Sequence, residues 1–460
     1  MIFGTFDFFP FLALVVATYW LLKKFPVAQR LFLVLASMYY YWLIDSRFLG
    51  LLAILAIATY VLGRIIFNAR EKSLGKFWLT IGIFINLGVL FWFKYYDFFR
   101  ISAQSFFSTI GLPAALPYWE IIFPIGISFY TFRMISYLVD VKKGKIPAEL
   151  SILNFSVYAF FFPIMLAGPL VRAGEFLPQV TKPQSININE AATLFFVGLF
   201  KKIVISSWLA SALVDNTFAV PEQVAFLGAW LGVFGYALQI YCDFSGYSDI
   251  AVACAMFLGF QLSPNFLFPY KATSIADFWR RWHISFYLWM RDYVYIPLGG
   301  NRKGPVRNFL NIIMVFALSG LWHGAAWHFM FWGLWHGMGL AIERAFKFAR
   351  QIPTQLSWLA TFLFVSIGWI LFRSENLDRA WAMITSMVKF SPGQPIALAT
   401  VTIFLLFFVL VLFEETISHF FTHLAIRLPA AGWLLLWIFF GIVIYGLAPQ
   451  TVPPFIYFSF

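Results

Sequence analysis

FWRRWHISFYLWMRDYVYIPLGGNRKG (residues 278–304) is followed, after a short apolar helix, by LSGLWHGAAWHFMFWGLWHG (residues 318–337), and the reading of the whole chain turns on these two pieces. Four of the six histidines in 460 residues lie here: His283, His323, His328 and His336. Each stands beside or near tryptophan in a chain that is otherwise oily. An imidazole in hydrocarbon costs free energy unless something uses or satisfies it, so histidines at membrane depth are functional candidates. The rest of the chain reads as their container.

Mean hydropathy is +0.81, 62% of residues are apolar and only 11% are charged. Many runs reach or approach the roughly 20 residues that cross a bilayer as helix. They do not alternate as barrel strands do, so the expected class is an all-α polytopic membrane protein. The net charge of +12 is read as cytoplasmic Lys and Arg setting orientation rather than as a nucleic-acid surface. Cys242 and Cys254 both lie in apolar sequence, which argues against a disulfide framework or a thiolate metal site. The run 8–22 lacks a basic flank and a convincing cleavage site, so it is read as a first span rather than a signal peptide.

About ten or eleven spans are expected in one domain, 1–460, with a catalytic core at about 120–345 and an aromatic tail at 449–460. The basic loops 23–30 and 68–76 are assigned to the inner side, which leaves both termini outside. Residues 151–166 and the following AGPLVRAGEFLPQV, with Arg172, suggest a broken element lining a cavity, because irregular backbone at membrane depth must face protein or water. From Asp243 to Arg307 the character changes: YCDFSGYSD and a proline-rich patch (Pro264, Pro269) lead to FWRRWHISFYLWMRDY, where aromatics and cations mingle too closely for a span and suit interfacial or re-entrant helices on the inner side. IPLGGNRKG is a glycine-rich turn carrying Arg302 and Lys303.

Metal binding by the histidines is disfavoured. Ligands on one helix need spacings of three or four, whereas His323 to His328 is five, His328 to His336 is eight, and no Asp or Glu lies between Gly299 and Ile342. A neutral imidazole in a dry cavity can instead take a proton from a hydroxyl attacking a thioester. The competing reading is tight helix packing, with Gly at the contact and His satisfying a backbone carbonyl. Periodicity alone leaves both open.

The two histidine motifs, forty residues apart with PLGGNRKG between them, resemble those of the membrane-bound O-acyltransferase (MBOAT) family. The likeness is to its bacterial branch of alginate and peptidoglycan O-acetyltransferase membrane subunits, and YCDFSGYSDIA, AGPLVR and the aromatic C-terminus fit the same branch. The resemblance implies an MBOAT fold with a central tunnel, and it implies His323 as the catalytic histidine. It puts His283 at the second motif position, as a positioning or substrate-binding group. His336 stays open between packing and function, His328 is read as packing or tunnel lining, and His419 and His423 as solvated in the last inner loop. The tail FIYFSF resembles an aromatic motif whose tyrosine carries the acyl group transiently, which makes Tyr457 the corresponding residue. A phenol is a poor nucleophile unless a base takes its proton, and its ester is activated for onward transfer.

Arg280, Arg281, Arg291, Arg302 and Lys303 lie where an inner basic rim would, and guanidinium forks suit the phosphates of acetyl-coenzyme A. Anchoring to anionic lipid is the other reading. Asp243, Asp249 and Asp277 are expected to pair with nearby arginines. The expected function is supply of acetyl from acetyl-coenzyme A for O-acetylation of an extracytoplasmic polysaccharide. No permanently bound cofactor and no metal are expected. Final transfer is assigned to a periplasmic or surface esterase-like (SGNH) partner, since the chain shows no GxSxG element. D-alanyl transfer is the near alternative. A transporter using the histidines as a proton relay, and a scaffold for the partner enzyme, are the rivals from other classes.

Overall fold

The computed structural model describes residues 3, 5, 7–112, 115–183, 185, 187–346, 353–390, 393, 396–449 and 453–458, with backbone alone at 422–427. Regular structure among them is helical, without a β-strand. Where one domain is expected from sequence, the described residues group into two compact units.

The first unit is Met1–Ile186 with Cys254–Leu262. It holds α1 (Phe8–Leu21), α2 (Pro26–Asp45), α3 (Leu49–Asn68), α4 (Ser73–Leu90), α5 (Tyr96–Thr109), α6 (Ile127–Lys142), α7 (Ile152–Phe160) and α8 (Ala173–Val180). Nearly all of α6 is buried. Glycine makes this enclosure achievable: a Cβ at Gly63 would strike the Tyr137 ring, and one at Gly82 would strike Leu138. After α7 the chain runs through a 3₁₀ turn, Phe162–Ile164, and irregular buried backbone to Val171. Protein encloses this broken stretch, as backbone without a regular ladder requires in hydrocarbon.

The second unit is Asn187–Ala253 with Ser263–Phe460. Its α9 (Ile188–Leu199) continues through π turns at Phe200–Ser206 and Ala210–Val214. Then come α10 (Phe226–Phe257, of which the part up to Ala253 belongs to this unit), α11 (Ile275–Arg281), α12 (Ile284–Met290), α13 (Pro305–His323), α14 (Trp327–Phe346), α15 (Thr354–Arg373), α16 (Leu377–Ser386), α17 (Leu398–Leu412), α18 (Glu414–Arg427) and α19 (Ala430–Leu447). The short α11 is fixed at its start by two acceptors. Ser274 Oγ takes the Asp277 amide at 3.0 Å, and the Glu343 carboxylate of α14 takes the Ile275 amide at 2.6 Å. Orphan amides at a helix start need such partners.

Six helical stretches among the described residues are long and apolar enough to cross a membrane, and a seventh if α17 and the start of α18, bent by 61°, form one span. That is fewer than the ten or eleven expected, in part because the 43-residue stretch Pro26–Asn68, counted once, holds both α2 and α3. Helices α1 and α6 are only 14 and 16 residues long, and α10 and α14 dilute their apolar character with Gly, Trp, His or Asp. Two local expectations also change. The change of character expected from Asp243 falls later in the chain, because YCDFSGYSD lies inside the 32-residue α10. His419 is exposed yet sits in helix α18 rather than a loop, and the side chain of His423 lies outside the described residues.

Candidate active site

Helices α13 and α14 form a hairpin drawn together at glycines. A Cβ on Gly320 would overlap the Phe329 carbonyl, and one on Gly333 would overlap the Phe316 carbonyl. His323 ends α13 at this close approach and is 3% exposed. Its ring is walled by Trp332 at 5.0 Å, Phe372 at 5.3 Å and Phe286 at 5.5 Å between centroids.

His283 precedes α12 with φ +43°, a left-handed conformation that residues bearing a Cβ rarely adopt. Asn265 holds it there. The Asn265 side-chain amide donates to Ser248 Oγ at 3.1 Å, and its Oδ1 accepts from Ser285 Oγ at 2.8 Å and the Ser285 amide at 3.4 Å. A backbone amide can only donate, so the Asn265 atom facing it is the carbonyl oxygen. His283 Nδ1 meets the same oxygen at 3.1 Å and must therefore carry the proton, which makes Nε2 the basic nitrogen of the ring. Asn265→Leu strands these donors in a buried site. It is expected to destabilise the protein by about 1–3 kcal/mol, read as a lower unfolding midpoint in detergent.

The tail reaches the same cluster. The Tyr457 ring lies 5.4 Å from that of His323 and 4.5 Å from that of Phe244, which in turn lies edge-on to His283 at 4.6 Å. Thus His323, His283 and Tyr457, separated widely in sequence, stand together in one aromatic chamber. The Ile456 amide donates to Asp243 Oδ2 at 2.9 Å, while Asp243 Oδ1 accepts from Lys202 Nζ at 2.6 Å.

Helices α9 and α10 allow that pair by crossing at Gly198 and Gly246, where a Cβ on either would press on the other's carbonyl. In the π turn that follows Gly198 both successive lysines are buried. Lys201 pairs with Asp249 at 2.7 Å and with Glu414 at 2.5 Å. The expected arginine partners of Asp243 and Asp249 are therefore lysines. Asp277 does pair with Arg281, at 2.9 Å.

Beside the chamber lies a cavity of about 800 Å³, with Arg291, Arg302, Lys303 and Arg344 on its lining and Trp279 and Phe286 among its apolar walls. Its mouth is shaped by the PLGGNRKG turn, where Gly299, Gly300 and Gly304 take φ of +108°, +56° and +84°. Arg280 and Arg281 do not line it. Arg280 is exposed near Asp277, and Arg281 is bound to Asp277 and the Leu267 carbonyl.

His336 is fully buried one ring behind His323, 5.2 Å from Trp332 and 5.1 Å from Trp279, with no hydrogen-bond partner for either ring nitrogen among the described residues. His328 Nδ1 bonds the Leu371 carbonyl at 3.0 Å. No cluster of three or more metal-ligating side chains occurs among the described residues. Sequence reasoning missed Asn265, Lys202 and Arg344. Asn265 stands eighteen residues before His283 in a proline-rich loop, and nothing in its local pattern marks it.

Comparison with known proteins assigns the class: an integral-membrane acyltransferase with several spans. The chain belongs to the membrane-bound O-acyltransferase (MBOAT) family, which it matches over residues 38–373. It is 40% identical over 391 residues to the Probable alginate O-acetylase AlgI of Azotobacter vinelandii, covering 83% of this chain and 77% of that one. It is 35% identical over 421 residues to the Peptidoglycan O-acetyltransferase of Helicobacter pylori, covering 83% and 78%. The Teichoic acid D-alanyltransferase of Bacillus subtilis is 28% identical over 274 residues, covering 55% and 69%.

Proposed function

We propose that this acyltransferase takes acetyl from cytoplasmic acetyl-coenzyme A and passes it across the inner membrane for O-acetylation of an extracytoplasmic polysaccharide. Alginate, peptidoglycan and another exopolysaccharide are the candidate acceptors. The observation that carries the reading is the Tyr457 ring packed 5.4 Å from His323. The cavity is the donor seat in this reading. Its cationic lining suits the phosphates of coenzyme A, and its apolar wall at Phe286 leads to His323, 5.5 Å away between rings.

In the proposed step His323 takes the phenolic proton of Tyr457, and the phenolate oxygen attacks the thioester carbonyl. The new C–O bond forms as the C–S bond breaks, and the leaving thiolate recovers the proton from the imidazolium. The products are acetyl-tyrosine and free coenzyme A. In this reading the basic loops 23–30 and 68–76 face inward and both termini lie outside, so the acetyl-tyrosine hands its group outward to an esterase-like (SGNH) partner that acetylates the sugar. The names of the alginate and peptidoglycan relatives support acetyl as the group, and the shorter match to a D-alanyltransferase ranks that reading second.

The test is mass spectrometry of the C-terminal peptide after incubation of the purified protein with acetyl-coenzyme A. An acetyl adduct on Tyr457, absent in His323→Ala and in Tyr457→Phe, is expected. Coenzyme A release without an adduct would move the acceptor to another hydroxyl or to the partner. Neither adduct nor release would return the transporter reading.

A further inference from the structure

We infer that one turn of α10, from Asp243 to Ser248, sets the tail in register with the two histidines, and that Asp243 is the positioning residue that docks it. The catalytic consequence rests on the carrier reading of Tyr457, whereas docking does not. Asp243 is 3% exposed, and a carboxylate so buried needs donors on both oxygens. Lys202 serves Oδ1, and the second donor is the backbone amide of the tail itself, Ile456, 213 residues away in sequence.

The same ion pair grips the neighbouring side chain. Lys202 Nζ stands 5.3 Å from the Phe455 ring, which is fully buried and stacked on Tyr247 at 4.4 Å and 20°. Asp243 and Tyr247 are four residues apart and share one helix face, so together they seat the two residues that precede Tyr457. The adjoining positions of that turn hold the other half of the site. Phe244 packs on both Tyr457 and His283, and Ser248 accepts from the amide of Asn265, which fixes the His283 ring. A single rigid turn therefore registers the tail and the second histidine against each other. Asp243 touches no reacting atom in this scheme.

The test reads docking first and chemistry second. Tyr457→Cys gives a thiol whose labelling by a maleimide in detergent reports undocking, since Cys242 and Cys254 are fully buried. Adding Asp243→Ala is expected to speed labelling about tenfold or more, the loss of one hydrogen bond to a charged group, and Asp243→Asn to restore protection through its carbonyl oxygen. Because the alanine variant strands Lys202 as a buried charge, Asp243→Leu with Lys202→Met repeats the measurement with no charge left unpaired. With Tyr457 intact, the same double variant should lose acetylation of Tyr457 by a similar factor. Labelling no faster in the double variant than in Tyr457→Cys alone overturns the inference. Faster labelling, in a protein whose wild type never acetylates Tyr457, upholds docking and removes the carrier reading instead.

Discussion

His323→Gln is expected to lower acetyl transfer by about 10²–10⁴-fold, the range lost when a positioned acid–base group is removed. Glutamine keeps comparable bulk and hydrogen-bonding capacity but cannot accept a proton near neutral pH. The side chain sits where Trp332, Phe372 and Phe286 wall it off, so little water reaches the site to replace the missing base. Coenzyme A release from acetyl-coenzyme A is the measurement, with the detergent unfolding midpoint as control for folding. Transfer within tenfold of wild type would remove His323 from the base role and leave it as packing.

Gly333→Val is expected to cost more than about 3 kcal/mol and to take activity with it. The added atoms would meet the Phe316 carbonyl, which is helix backbone and cannot swing aside as a flexible side-chain end can. The hairpin must open, and in hydrocarbon close helix contact through small residues is itself the main source of association. His323 sits one turn beyond Gly320, the other close contact of that hairpin, so separation displaces the ring that the site needs. Gly446→Ala is the matched control. A Cβ there meets nothing within 4 Å, and the change should be neutral or stabilise by up to about 1 kcal/mol. Equal melting of the two variants would show that the hairpin tolerates widening.

What could be read from the chain without coordinates was whatever repeats locally or concentrates a rare residue type. Apolar runs marked most of the long helices, Gly and Pro marked the break after α7, and histidines in oil marked the residues that the fold gathers into the candidate site. The contacts that assemble the site are of another kind. Asp243 serves a tail amide 213 residues away, and Lys202 reaches it only because a π turn and two facing glycines bring its helix close. No periodicity encodes such a meeting. Charges misled in the same way: Arg280 and Arg281 look like part of the rim in sequence, yet α11 turns them to Asp277 and away from the cavity, while Arg344, more than fifty residues on, lines it.

The tail that packs against His323 belongs to the same chain, and only seven residues separate Leu447, the end of α19, from Phe455. A short tether holds Tyr457 at an effective concentration on the order of millimolar, whatever the abundance of the protein. The meeting of Tyr457 with His323 is therefore intramolecular: its rate per molecule is indifferent to expression level, and only a second reactant has to arrive by diffusion.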